Sequence, residues 1–248
     1  MHLAISLTSR QCALAPGRLG VCDLDQAAQQ LLAAQQRAEA LFAAVIARGL
    51  IQPDKLESEV STDIHALARA DFGVRRHWHQ RVVRAGPNTL LSYGDAAEDR
   101  RIAADDVVFL DFGPVFNSWE ADFGRTYVLG NDPRKHQLVR DLAAAFSSGK
   151  ELFQITPDLM AGELYDFVAS LAQSGGWEFG ASTAGHPIGH FPHEGPSGGS
   201  RALTIEHGNP LRLRQPDSEG KVRHWILEIH LVDRARQFGG FLEELLTC

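Results

Sequence analysis

Cysteine is scarce in this sequence of 248 residues, which contains only Cys12, Cys22 and Cys248. The number is odd, and no two of the three have the Cys-x-x-Cys spacing. The sequence therefore predicts neither a disulfide framework nor a thiolate metal site, and we interpret the three residues as incidental thiols.

Long hydrophobic runs and an excess of positive charge are also lacking. No apolar run approaches the roughly 20 residues that a membrane span requires, and the short stretch LAIS near the N-terminus has neither the basic flank nor the apolar core of a signal peptide. The formal net charge of -7 argues against nucleic acid as the main partner, because phosphate binding requires a basic surface. We therefore expect a cytoplasmic protein with no membrane or nucleic-acid partner.

Hydrophobic residues make up 44% of the chain, which is enough for a substantial core. Pro16, Gly17 and Gly20 interrupt any periodicity near the start, so residues 1–22 are predicted to form an N-terminal arm. No tandem repeat or linker divides the remainder. We expect residues 23–248 to form a single domain.

Helical and extended patterns alternate along this domain. Helices are predicted from an N-cap at Asp23 to Gly49, over 57–71, from Asp132-Pro133 to 153, and over 157–175. Extended segments are predicted over 74–88, 107–116, 119–129, 224–233 and 238–246. The fold class is therefore α/β (α+β), with helices flanking a mostly antiparallel sheet.

The segment 109-FLDFGPVFNSWEADFGRTYVLG-130 has the pattern of a β-hairpin that turns at Asn117-Ser118. With a two-residue turn, Asp111 and Asp122 form a diagonal cross-strand pair on one face. Two carboxylates at such short range repel each other unless a positive charge lies between them, and a metal ion would supply that charge. The alternative is a pair of solvated acids on an open face.

Further candidate ligands follow in the second half of the chain. Glu228 lies inside the apolar segment 224-HWILEIHLVD-233, where a lone carboxylate needs a partner unless the strand is an exposed edge. Glu243 and Glu244 lie on opposite faces of the last strand, so one of them can point inward. The segment 184–200 contains three histidines and is predicted to be an irregular loop, neither helix nor strand.

The order of these motifs resembles that of the pita-bread metallopeptidases, which include methionine aminopeptidase, prolidase, aminopeptidase P and creatinase. The matching pieces are DxGxxxxxxxxD with FGRTYVLG, then GHPIG with HE a few residues later, an acid in an apolar strand, and a terminal Glu. The resemblance implies a pita-bread fold and a prolidase-like catalytic domain without the N-terminal domain of full-length prolidases.

The resemblance implies a centre of two divalent metal ions (Mn, Co, Zn or Fe), with Asp111, Asp122, His186, Glu228 and Glu243 as ligands. Four carboxylates balance two divalent cations in charge, and oxygen-rich ligation with one imidazole suits these metals. The implied activity is that of an exopeptidase of the aminopeptidase or Xaa-Pro dipeptidase type, which cleaves a peptide or dipeptide with a hydroxide that bridges the two ions. Glu228 would also accept the proton of the water. The family also implies a homodimer.

His193 resembles the second histidine of the family loop, which contacts the substrate carbonyl, and His190 resembles an additional histidine of aminopeptidase P-like loops. Both are candidate substrate-binding residues, and His193 is also a candidate catalytic residue. His77 and His79 are interpreted as an exposed pair or as core imidazoles outside the site.

The sequence departs from the prolidase pattern at three places. Leu91 and Ser92 stand where a histidine is usual, Phe241 replaces an arginine, and Pro187 replaces a glycine in GHPIG. Two alternatives therefore stay open. One is a pita-bread module that binds peptides without catalysis, and the other is a creatinase-like hydrolase of a small C-N bond.

Overall fold

The computed structural model describes residues 25–193 and 203–246. The predicted N-terminal arm, the cap at Asp23, the three cysteines and Glu194 of the HE motif lie outside these ranges. Within them, no helix has the length and apolar character needed to cross a membrane.

In the described part of the chain, four α-helices correspond to the four predicted helical patterns. They are α1 (Gln26–Ala47), α2 (Glu57–Phe72), α3 (Pro133–Ile155) and α4 (Ala161–Ser174). The N-cap of α1 is Asp25, whose carboxylate accepts the N–H of Ala28 at 2.7 Å. Gly73 ends α2 with a left-handed φ of 68°, a conformation that glycine adopts without steric cost.

Helix α4 begins later than the predicted start at Pro157. The backbone before it is bonded to a distant segment instead, because Leu213 N–H donates to Leu159 and Ala161 N–H donates to Leu211. Glu163 then caps the new start by accepting the N–H of Met160. A long-range pairing has therefore replaced the first helical turn.

Nine strands form two antiparallel sheets within the described residues. Their bounds are β1 (Val82–Ala85), β2 (Val107–Phe112), β3 (Val115–Phe116), β4 (Trp119–Glu120), β5 (Phe123–Val128), β6 (Glu178–Phe179), β7 (Pro187–Ile188), β8 (His224–Asp233) and β9 (Phe238–Leu245). The larger sheet has the order β1-β2-β5-β9-β8-β6, with β7 also paired to β8, and β3 with β4 form a separate two-stranded sheet. The predicted mostly antiparallel sheet flanked by helices is confirmed.

The predicted register of the hairpin is confirmed from Phe116, which pairs with Trp119, to Val107, which pairs with Val128. Asn117 and Ser118 form the turn with φ of 50° and 67°. The prediction of two continuous strands is wrong. The ladder is interrupted after Phe112, because the carbonyl of Gly113 accepts the N–H of Trp78 and Val115 N–H donates to Arg76.

The predicted irregular loop over 184–200 contains one short strand, because β7 pairs with the start of β8. The extended segment predicted over 74–88 is a strand only at β1, and Gly86–Leu90 forms a 3-10 helix. Both differences result from long-range pairing that local composition does not encode.

The hydrophobic core has two main parts on the two halves of the sheet. Helices α1 and α2 pack on β1, β2 and β5, with buried residues such as Leu41, Ile64 and Leu110. Helices α3 and α4 pack on β8 and β9, with buried residues such as Leu142 and Leu227. Each half thus consists of a helix pair on part of one continuous sheet.

Candidate metal centre

Three of the predicted ligands lie in one row across the middle of the sheet. Asp111 in β2 pairs with Gly124 in β5, Gly124 pairs with Glu243 in β9, and Glu243 pairs with Glu228 in β8. Partners in such a row share one face. The three carboxylates line a cavity of about 460 Å³, and the ring of Phe241 occupies the space beside Gly124, which has no side chain.

Asp122 and His186 complete this cluster from outside the row. Asp122 directly precedes β5 and is buried, and one of its oxygens, Oδ2, lies 3.2 Å from Nε2 of His186. The same Nε2 lies 3.3 Å from Oε1 of Glu228 and 3.9 Å from Oε1 of Glu243. The structure therefore brings the five predicted ligands together around one cavity.

The backbone around His186 fixes its orientation. Ile226 N–H donates to the carbonyl of His186 at 2.9 Å, which joins the loop to β8. Nδ1 of the ring lies 2.8 Å from the carbonyl of Pro187. This contact orients Nε2 toward the carboxylates, so Pro187 in GHPIG does not turn the imidazole away from them.

Glu243 and Glu244 are distinguished by their surroundings. Glu243 faces the cavity, whereas Glu244 points to the opposite face and pairs with the guanidinium of Arg125. Of the two acids left open by the sequence, Glu243 is therefore the one in the cluster.

The carboxyl groups of the cluster have raised pKa values because they are buried together. Burial raises the pKa of Asp111 to about 7, and the charges of Asp122 and Glu228 add to this effect. Burial also raises the pKa of Glu228, and it raises that of Glu243 well above the ordinary value. A cation among these groups would relieve the repulsion.

Asp122 is the exception, because two imidazoles contact it. Burial alone would raise its pKa, but the charge of His79 and the hydrogen bonds of His186 and His79 lower it below the ordinary value. Burial opposes protonation of the rings, yet Asp122 and Asp111 raise the pKa of His79 to about 10. The pKa of His186 is raised to about 9 against its burial, by the bond to Asp122 and the charge of Glu228. The buried carboxylates thus require cationic partners.

His79 is the residue that the sequence interpretation missed. Its Nε2 lies 2.9 Å from Oδ1 of Asp122 and 3.5 Å from Oδ1 of Asp111, and its side chain is 10% exposed. The interpretation of His79 as lying outside the site is therefore wrong. His77 lies apart from the cavity, and its ring packs against His65 and Phe112.

The donor set fits divalent metal ions. Asp111 Oδ1 and Glu243 Oε2 are buried and make no hydrogen bond within the part of the chain that the structure describes. Two groups of three residues could each hold an ion, because the donor atoms inside each group lie within 4.8 Å of one another. The first group is His79, Asp111 and Asp122, and the second is Asp122, His186 and Glu243. Buried polar atoms of a native protein are normally paired, and metal ions would pair these two.

The two loop histidines lie apart from the cavity wall. His193 forms an ion pair through Nδ1 with Glu120, and its ring packs against Trp78, which lines the cavity. His190 is exposed and packs edge-on against Trp119. The structure does not bring either predicted substrate-binding residue to the cavity.

The rest of the cavity wall is mainly apolar and aromatic. Leu91 and Phe241, which stand where the prolidase pattern has polar residues, both line it, together with Tyr93 and Phe109. Among the described residues that line the cavity, none is Lys or Arg. The cavity thus combines an acidic floor with an apolar wall.

Comparison with known proteins gives a family and a fold. Residues 29–222 match the sequence profile of metallopeptidase family M24. Over 147 residues, the chain is 26% identical to the Xaa-Pro dipeptidase of Pyrococcus horikoshii and 24% identical to that of Pyrococcus furiosus. The aligned part is 59% of this chain but only 41% of each relative, so the sequence match covers less than half the length of these curated relatives.

Solved structures show the same fold. The prolidase from Pyrococcus furiosus superposes with a TM-score of 0.69 at 20% identity, over 90% of this chain and 60% of that one. The X-Pro aminopeptidase from Thermotoga maritima superposes with a TM-score of 0.70 at 19% identity, over 89% of this chain and 60% of that one. The predicted pita-bread fold is confirmed, and because the family profile covers most of its length, the chain belongs to metallopeptidase family M24.

Proposed function

We propose that this protein is an exopeptidase of the aminopeptidase or Xaa-Pro dipeptidase type that depends on two divalent metal ions. The observation that carries the proposal is the convergence of five donors on one cavity. They are Asp111, Asp122, His186, Glu228 and Glu243. The similarity to Xaa-Pro dipeptidases supports the reaction class.

Bound divalent ions would lower the pKa of a water molecule and polarise the carbonyl of the scissile bond. Glu228 is the residue placed to accept the proton of that water. Its side chain is 17% exposed and faces the cavity, so it can reach both a bound ion and a water molecule beside it.

The apolar wall would bind the substrate side chains and exclude water from the reacting bond. His193 is proposed to stabilise the charge that develops on the substrate carbonyl, and His190 is proposed to contact the substrate. In the structure Trp78 lies between His193 and the metal ligands, since its ring packs against both His193 and His186. The proposal for His193 thus requires movement of the loop 189–193 or of Trp78.

Hydrolysis of a small peptide panel tests the proposal. The metal-free protein is titrated with Mn(II), Co(II) or Zn(II) and given Xaa-Pro and Met-Ala peptides. We expect turnover only with metal, and we expect Glu228→Gln to lower it by about 10²- to 10⁴-fold because the proton acceptor is lost. Glu219→Gln, an exposed acid that does not line the cavity, is the matched control. Equal turnover by the Glu228 variant would contradict the mechanism.

The panel also separates the two exopeptidase types. A dipeptide carries a free carboxylate next to the scissile bond, and no Lys or Arg occurs among the described residues of the cavity wall. Ala-Pro and Ala-Pro amide form a matched pair that differs in this charge. Faster cleavage of the amide favours an aminopeptidase, whereas faster cleavage of the free dipeptide favours a dipeptidase.

A further inference from the structure

His79 has a position that the family resemblance does not assign. It lies in the segment between α2 and β1, and its ring faces two carboxylates that belong to β2 and to the turn before β5. The resemblance implies one imidazole ligand, His186, and His79 is a second imidazole on the opposite side of Asp122. Oδ1 of Asp122 faces His79, and Oδ2 faces His186.

The distances around His79 are within about 0.1 Å of those expected for atoms that share one ion. Two donors that each lie about 2.1 Å from an ion, at angles of about 90 to 110°, are about 3.0 to 3.4 Å apart. His79 Nε2 lies 2.9 Å from Asp122 and 3.5 Å from Asp111. At the other end of Asp122, His186 Nε2 has separations of 3.2 Å and 3.3 Å from Asp122 and Glu228.

The two imidazoles are also oriented in the same way. Nδ1 of His79 lies 2.7 Å from the carbonyl of Gln80, and Nδ1 of His186 lies 2.8 Å from the carbonyl of Pro187. In each case the carbonyl belongs to the next residue and accepts the Nδ1 proton. This arrangement leaves Nε2 as the nitrogen that can bind a metal ion.

The backbone around His79 is built to hold the ring in place. Trp78 N–H donates to the carbonyl of Gly113 at 2.9 Å, and the Trp78 indole donates to the carbonyl of Ala121 at 3.1 Å. These carbonyls follow Asp111 by two residues and precede Asp122 by one. A Cβ on Gly113 would overlap the ring of His79, so the glycine leaves the space that the imidazole occupies.

We infer that His79 is a nitrogen ligand of the ion held by Asp111 and Asp122, so that the centre contains two imidazole ligands, one at each end of Asp122. This inference rests on the proposed two-ion centre and deepens it. His79 thereby gives the first ion a nitrogen donor that the ligand set implied by the resemblance does not provide.

X-ray absorption of the Co(II)-loaded protein tests the inference, because multiple scattering from the imidazole ring counts the histidine ligands. We expect two imidazoles per wild-type chain. One imidazole per chain would overturn the inference, and this measurement needs no variant. We expect His79→Gln and His186→Gln each to halve the imidazole signal, and the double variant to lose it entirely.

His207→Gln is the matched control, since His207 is exposed and does not line the cavity, and it should retain the full signal. Circular dichroism checks that each variant is folded. A full imidazole signal in folded His79→Gln would also overturn the inference. Because the readout uses no substrate, two imidazoles without peptide hydrolysis would refute the proposed function alone. Hydrolysis with one imidazole would refute the role of His79 alone.

Discussion

Asp122 is the carboxylate of the site that contacts both imidazoles. It is buried, yet its pKa lies below the ordinary value because His79 and His186 contact its two oxygens. A carboxylate in that position stays ionised while its neighbour Asp111 is pushed toward neutrality by burial. Asp122 can therefore bind a cation at each oxygen without first losing a proton.

His224 allows a prediction about pH and stability. The residue is buried at the start of β8, and both of its ring nitrogens lack a hydrogen bond within the described residues. Burial lowers its pKa below 6.5, against the opposing charge of Asp25. The unfolded chain therefore takes up a proton at His224 before the folded chain does, so the folded state loses stability as the pH falls below about 6.5.

His224→Phe removes this titration and fills the same buried space. We expect the free energy of unfolding to fall less between pH 7.5 and pH 5 in the variant than in the wild type, measured by urea denaturation at each pH. His136→Phe on α3, a histidine that is only partly buried, serves as the control. A variant whose pH dependence equals that of the wild type would rule out His224 as a contributor.

At the scale of residues, the sequence predicts the acids better than the histidines. Glu228 is predictable because a carboxylate in a strongly apolar strand needs a partner. Glu243 is predictable as one of two candidates, because Glu243 and Glu244 lie on opposite faces of the last strand and one of them can face inward. His79 is not predictable in this way, since it lies in an irregular segment whose side-chain directions have no period. Its contact with Asp122 spans 43 positions in the chain.

Among the elements, the hairpin of β3 and β4 supports the His-rich loop. Glu120 in β4 is 1% exposed, and its carboxylate accepts the N–H of Gly189 at 3.3 Å and that of His193 at 3.2 Å. It also forms an ion pair with the His193 ring. One buried carboxylate therefore fixes both ends of the segment 189–193.

Glu120→Gln should loosen this loop without removing a donor from the cavity. The Gln amide has one acceptor oxygen, and its NH₂ group cannot accept a hydrogen bond. One of the two backbone N–H groups, that of Gly189 or that of His193, therefore loses its acceptor. An unsatisfied buried donor costs about 1 to 3 kcal/mol, so we expect the free energy of unfolding to fall by that amount. Chemical denaturation measures the loss. Glu151→Gln, an exposed acid on α3, is the matched control.

The same variant separates loop support from metal binding. Because Glu120 is not among the residues that line the cavity, we expect the number of ions bound per chain to stay unchanged, while turnover falls. Loss of bound metal would show that Glu120 supports Asp122 rather than the loop. Unchanged stability and turnover together would show that its contacts are energetically neutral.

The sequence predicts the elements well where local pattern decides them. The register of β2 with β5 follows from one turn and from alternation, and helix α2 follows from its apolar spacing and Gly73. The late start of α4 and the break after Phe112 are not predictable, because other parts of the chain take the backbone hydrogen bonds at these places. No local propensity contains that information.

For the whole molecule, the ligands come from both halves of the fold. Asp111 and Asp122 belong to the part of the sheet covered by α1 and α2, whereas Glu228 and Glu243 belong to β8 and β9, on which α3 and α4 pack. The sequence predicts one domain from the lack of a linker, but it cannot predict this division, because the halves are joined by the long-range pairing of β5 with β9. We propose that metal ions would join the two halves.

Metal binding should therefore stabilise the whole chain against heat. A ligand present at about 100 times its Kd stabilises the folded state by about 2.7 kcal/mol per site, which corresponds to about 5 to 10 °C in Tm for a chain of this size. We expect calorimetry to show a rise of at least this size when Mn(II) is added to chelator-treated protein. Asp122→Asn should lose most of the rise, because Asp122 contacts both imidazoles and removal of one carboxylate weakens both positions. An equal rise in wild type and variant would contradict the ligand assignment, and no rise in the wild type would contradict a metal centre shared by the two halves.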